Sequence, residues 1–268
     1  MSDKKVSFSE TVNQNQIETP KSTHAVFELP CGFIDNNGVL HTEVHLREMT
    51  GREEDLLASP KIPVQKKLGA LIANCLVSIG TITDRAQFPS IVSSLPVGDR
   101  VFLLVALRRT SLGDAFPVEE VCPACEVKGS YILDLSTLET KKLDDPLKRV
   151  YDDVLPSGRK VRHRLGTGMD EERASKVNEE DRPSAMLLAR VELLDGKMPT
   201  LADIKGLSFK DRQALRSMLE SHDGGVDTAL DMQCPACGHE FKRDMDLGQP
   251  GFFFPGRVQK DSKTRSST

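Results

Sequence analysis

"CPAC" at Cys122–Cys125 and "CPACGHE" at Cys234–Glu240 govern how the rest of the chain is read. A two-residue gap lets both thiolates of one pair face a single ion, and two such pairs complete a tetrahedron. Zinc accepts four thiolates without redox chemistry and without an electronic preference for another geometry. The spacing therefore assigns Cys122, Cys125, Cys234 and Cys237, four of the six cysteines, to one structural zinc. Four sulfurs leave no open position for water, so hydrolytic chemistry is not expected there. A dithiol oxidoreductase needs one reactive pair, typically at a helix N-terminus after a strand. Here two matched pairs each precede strand-like sequence, "YILDL" and "FKRDMDL". An iron–sulfur cluster has the same ligand count, but nothing else in the chain indicates electron transfer. His239, just past the second pair, is read either as a hydrogen-bond donor to a cysteine sulfur or as a plain turn residue.

Working outward, the clamp would close a long loop carrying everything from about residue 126 to 233, which is tolerable because closure cost rises slowly with length. Before the first pair, "AVFEL" and "VLHTEVHL" flank "DNNG", the pattern of a β-hairpin. In "TGREEDLLA", Thr50 and Glu53 have capping-box spacing at a helix start. From Gln65, the residues Leu68, Ile72, Cys75, Leu76 and Ile79 recur at helical spacing, with Gly80 as a C-cap. "GDRVFLLVALRR" is too continuously apolar for an exposed helix and predicts a central one, with Arg108 and Arg109 ending it in solvent.

After the first pair, "TKKLDDPLKRVYDDVL" is read as charged and partly helical, and "KVRHRL" as a strand. Arg159, Lys160, Arg162, His163 and Arg164 are read either as a phosphate contact or, the preferred reading, as that strand's outer face. "DEERASKVNEEDR" reads as a solvated charge run, "SAMLLARVELLDGK" as one amphipathic helix, and "SFKDRQALRSMLESHDG" as another, capped by Ser208 with Asp211. No internal repeat is read beyond the two cysteine pairs. The run Phe252, Phe253 and Phe254 lies between Gly-Pro and Pro-Gly turns; it is read either as packed back on the chain or, as the candidate partner-binding site, inserted into another protein.

The resulting fold expectation is α+β. An N-terminal β-hairpin and helical region is joined to a four-cysteine zinc-ribbon unit with an inserted α/β segment. The boundaries are a flexible tail over 1–23, the hairpin and helical domain over 24–121, the zinc-ribbon unit over 122–247 with its insert at 141–230, and an aromatic turn with a basic tail over 248–268.

Composition narrows the function classes. Thirty-six Lys and Arg against 40 Asp and Glu leave a formal charge of -4, so no global cationic field draws the chain to nucleic acid or acidic lipid. The polar start lacks the apolar core of a signal peptide. The longest apolar run, Val101–Leu107, is far short of the roughly 20 residues that span a membrane. No metalloprotease, nucleophile-elbow or phosphate-loop motif is present.

"LREMTGREEDLLA", "GDRVFLLVALRRTSLGDAFPVEEVCPAC", "DLSTLE" and the later "CPACGHEF", in that order, resemble the T-even-type baseplate hub assembly proteins and tail assembly chaperones of contractile-tailed phages. The resemblance runs over about residues 25–247. Thr50, Gly51, Arg52, Glu53 and Glu54 match the first motif; Gly98, Asp99, Arg100, Leu103, Leu104, Leu107 and Arg108 match the second. It implies a role in tail morphogenesis and no catalytic residues, and the zinc rests on cysteine spacing alone. The expected function is a non-enzymatic baseplate or tail assembly factor or minor hub component. Its partners would be phage baseplate or tail proteins, with no small-molecule substrate, nucleic acid or membrane. It would act in the host cytoplasm during assembly or remain in the virion. The alternative is a zinc-ribbon nucleic-acid-binding regulator.

Overall fold

β1 (His24–Ile34) and β2 (Leu40–Arg47) form an antiparallel hairpin whose turn places Gly38 at a φ of 79°, a left-handed position suited to glycine. The computed structural model describes residues 24–248 and 250–254; the tail expected over 1–23 and the basic tail after Gly256 lie outside the described residues. α1 (Gly51–Ala58) starts at Thr50, where both halves of the capping box with Glu53 are made. α2 (Val64–Cys75) then runs directly into β3 (Leu76–Ile79), which pairs with β2. The helix expected to continue to Gly80 therefore ends at Cys75. Leu76 and Ile79 are buried as strand residues, and Gly80, at φ 51°, follows the strand instead of capping a helix.

α3 (Phe88–Ser94) leads to α4 (Val97–Leu112), which buries Leu103, Leu104, Val105, Ala106 and Leu107 at the centre of the molecule. Arg108 departs from the expectation of a solvent-exposed helix end. It is 1% exposed, donates to the carbonyls of Gly113 and Ala115 at 3.2 and 3.1 Å, and lies 4.9 Å from the centre of the Phe116 ring. The arginine is buried because its fork satisfies carbonyls just past the helix end while its planar face packs on an aromatic. Arg109 is partly exposed and pairs with Asp114.

β4 (Ala115–Val121) and β5 (Lys128–Asp134) flank the first cysteine pair, followed by the short β6 (Thr140–Lys141). The region expected to be partly helical contains a strand, β7 (Val150–Val154), paired with β8 (Lys160–Arg164). α5 (Gly168–Ala174) opens the supposed charge run, but Asp170 is buried and takes both terminal nitrogens of Arg164 at 2.8 Å. α6 (Arg182–Arg190) stops halfway along the expected amphipathic helix. The rest becomes β9 (Val191–Leu194), which pairs with β8. α7 (Leu201–Lys205) and α8 (Phe209–His222) follow, the latter capped by Ser208 with Asp211 as the spacing indicated. β10 (Gly225–Val226) pairs with β6; β11 (Ala229–Gln233) and β12 (Glu240–Asp244) flank the second pair, and α9 (Pro250–Phe253) ends the described chain.

This order contains an internal duplication that reading by composition and spacing missed. Each half has a hairpin, two helices, a third antiparallel strand, two further helices and a cysteine-bearing hairpin. Sheets β1-β2-β3 and β7-β8-β9 share one strand order, and each breaks register where its third strand joins. In the first half Arg47 binds Glu53 of the Thr50 capping box and the Asn74 carbonyl at 2.9 Å. In the second Arg164 binds Asp170 of the Thr167 box and the Ala189 carbonyl at 2.8 Å. Asp99-Arg100 precedes Cys122 by the interval at which Asp211-Arg212 precedes Cys234. Past the pairs, Asp134 accepts from the Ser136 amide and Asp246 from the Gly248 amide, both at 2.9 Å.

Two buried clusters result. The larger joins the first half to both cysteine hairpins and to Phe252 and Phe253; the smaller lies within the second half, from Leu155 to Leu219. No described helix is long and apolar enough to cross a membrane.

Candidate metal centre

Each cysteine pair sits on a turn built by two backbone hydrogen bonds. Cys122 donates to the Val127 carbonyl and accepts from the Glu126 amide; Cys234 donates to the His239 carbonyl and accepts from the Gly238 amide. The turns match bond for bond, and both need a left-handed residue at the same place: Glu126 at φ 58° and Gly238 at φ 74°. This geometry turns both sulfurs of a pair to one side.

The two turns meet. Cys122 Sγ lies 3.7 Å from Cys237 Sγ, Cys125 Sγ lies 3.6 Å from Cys234 Sγ, and all four sulfurs are within 4.8 Å of one another. Zinc–sulfur bonds of about 2.3 Å give a tetrahedron with edges of about 3.8 Å, so the residues present fit the ion. Cys122 and Cys234 are buried, Cys125 is half-buried and Cys237 is exposed.

The amides of Cys237 and Ala236 draw the Cys234 thiol down to about 7. At Cys125 the Val127 amide favours the thiolate, but the neighbouring Cys237, Cys234 and Cys122 outweigh it and push this thiol up to about 12. Four crowded sulfurs cannot all ionise against one another; a divalent cation removes that conflict.

The flanking strands form two separate hairpins, not one continuous sheet. They are tied together by Tyr131 packed edge-to-face on Phe241, with ring centres 6.4 Å apart, and by Arg243 reaching Glu120 at 3.4 Å. His239 stacks at 6.3 Å on Phe241. Charges around the centre are mixed: Lys128 pairs with Glu119 and Lys242 with Asp231.

Of the two readings of the phenylalanine run, Phe252 and Phe253 follow the one in which the run packs back on the chain. Phe252 and Phe253 are buried in the larger core, with Phe252 edge-to-face on Phe116 at 5.3 Å, so neither ring is presented to another protein; Phe254 is half-buried against the same core. The Phe252 ring is seated between β4 and α4, with the Arg108 guanidinium 5.7 Å from its centre.

The second resemblance motif proves to be a joint. A Cβ on Gly98 would lie 1.8 Å from the Gly224 carbonyl oxygen, so the first turn of α4 closes directly on the chain entering β10. Asp99 accepts from the Cys31 amide at 2.8 Å, and burial raises its carboxyl to about 6. Arg100 covers Gly168 and faces Glu171 at 3.6 Å. Three consecutive residues thus fasten α4 to both halves of the chain.

Fold and site together define a class: an α+β scaffold of two related halves whose cysteine hairpins converge on one four-sulfur centre. The chain belongs to the T4 bacteriophage base plate protein family, whose model matches residues 33–255 and so takes in both halves and all four cysteines. No curated protein and no solved structure matches the chain. Family membership and the four-cysteine cluster together support a structural or assembly role.

Proposed function

We propose that this protein is a non-enzymatic component or assembly factor of a phage baseplate, acting through protein–protein contacts and stiffened by one structural zinc on Cys122, Cys125, Cys234 and Cys237. The observation that carries the reading is the family match across residues 33–255. The sulfur geometry supports the zinc, because a closed tetrathiolate shell suits architecture and leaves no position for substrate. Bound there, the ion joins a ribbon-like pair of hairpins and closes the loop that carries the inserted lobe. The protein works in the host cytoplasm while tails are built, whether or not it stays in the virion.

A nucleic-acid regulator would carry an unbroken basic stripe near its ribbon. The hairpins instead neutralise Lys128, Lys242 and Arg243 with Glu119, Asp231 and Glu120. The test is to co-express the tagged chain with the baseplate proteins of its phage and purify it. Recovery of a defined baseplate protein in fixed proportion supports the proposal. Retention on DNA that falls steeply with salt, with no baseplate protein recovered, refutes it.

A further inference from the structure

Away from the cysteine centre, three side chains of the second half converge. Asp153 on β7, His163 on β8 and His222 in the last turn of α8 bring one ligating atom each to within 4.8 Å of the others. Nε2 of His163 lies 2.8 Å from Asp153 Oδ2, and Nε2 of His222 lies 3.3 Å from the same oxygen. An ion bonded to imidazole nitrogen at about 2.0–2.1 Å sets neighbouring donors about 2.9–3.4 Å apart in octahedral or tetrahedral shells. Tyr151 fixes both rings, stacked 3.9 Å from His222 and 5.7 Å from His163. His163 is fully buried, whereas Asp153 and His222 are 28% and 32% exposed, so one side stays open to water or a further ligand.

The duplication supplies an internal comparison. Tyr151 stands opposite His163 as Ala25 stands opposite Leu46, and Asp153 opposite Val161 as Phe27 opposite Val44. His222 precedes Cys234 by the interval at which Thr110 precedes Cys122. The first half puts carbon at two of the three places: Leu46, fully buried, stands for His163, and Phe27, edge-to-face on Phe102, stands for Asp153, while Thr110 stands for His222 and donates its hydroxyl to the Ala106 carbonyl at 2.8 Å. The architecture therefore needs neither a carboxylate nor an imidazole here, and burying the His163 ring against Asp153 carries a desolvation cost that a ligand would offset.

We infer that Asp153, His163 and His222 form a second divalent metal site that pins the end of α8 to the sheet of the second half. Two imidazoles and one carboxylate suit zinc and its first-row neighbours better than calcium or magnesium. The nearby cations leave room for the ion. Arg190 is held by Asp223 at 2.9 and 2.6 Å, and Lys148 lies over the Tyr151 ring at 4.8 Å. Nδ1 of His163 has no hydrogen-bond partner, and a metal on Nε2 leaves it in that state.

The test uses the full chain stripped of metal, reloaded with zinc or cobalt(II) and washed. Wild type should hold two ions per chain. H222Q and D153N should each hold one, with the thiolate-to-cobalt absorption of the cysteine centre unchanged. In wild type the second cobalt equivalent should add ligand-field absorption without thiolate charge transfer, a readout that does not depend on the variants folding. One ion per chain in wild type, or two retained in both variants, would show that the three residues form only a hydrogen-bonded cluster and would overturn the inference.

Discussion

Glu53 accepts from the Thr50 amide at 2.8 Å and from Arg47 at 2.8 and 3.1 Å, while its own side chain is almost fully buried. The hydrogen bonds from Arg47 hold its carboxyl well below the usual range, at about 2. A carboxyl lowered in the folded state contributes stability that is complete above its unfolded pKa, about 4.3, and is lost as pH falls through the folded value. E53Q should therefore cost about 2 kcal/mol at neutral pH and flatten the loss of stability between those two values, as read by denaturant unfolding across pH. The Thr50–Glu53 box was legible because it uses neighbours in the chain. Arg108 was not: beside Arg109 it reads as a charged helix end, and only the return of β4 beneath it shows two carbonyls and a ring waiting for its guanidinium.

Elements were legible where the pattern ran long enough. The hairpin around "DNNG", the central α4 and the Ser208-capped α8 follow from turn chemistry, continuous apolarity and capping. β3 and β9 were hidden because each spans four residues and follows a helix without a break. So short a run cannot display a period of two, and pairing with β2 or β8 settles the conformation. The cysteine turns allow a test at the same scale. Glu126 occupies the left-handed position that Gly238 fills in the matching turn. E126G should stabilise the metal-loaded protein by up to about 1 kcal/mol, and G238A should destabilise it by about the same amount. A shift of the unfolding midpoint in the opposite sense for either variant would contradict the matched-turn account.

At the scale of the whole molecule, the two cysteine pairs stood out because the phrase is repeated letter for letter. The duplication that contains them did not. Its other shared signals include an arginine three residues before Thr-Gly and an Asp-Arg pair at a fixed interval before the cysteines, embedded in halves most of whose side chains differ. Geometry kept them, because they fasten distant stretches of chain: Arg47 and Arg164 reach the carbonyls of Asn74 and Ala189, and Asp99 and Asp211 accept from the amides of Cys31 and Ser157. Gly98 tests the joint between α4 and the chain entering β10, and G98A should cost about 3 kcal/mol or more, since the added methyl meets a backbone carbonyl that cannot swing away. Thermal unfolding of G98A against wild type measures it.

The central claim is that two distant turns share one ion. It is tested most directly by titrating cobalt(II) into metal-stripped wild type, C125S and C234S while following the thiolate-to-cobalt absorption. The account predicts that this band saturates in wild type at one thiolate-bound ion per chain and collapses in both variants, because each removes a ligand from the same shell. If each variant instead keeps about half of the wild-type intensity, the pairs bind separately and the clamp does not exist.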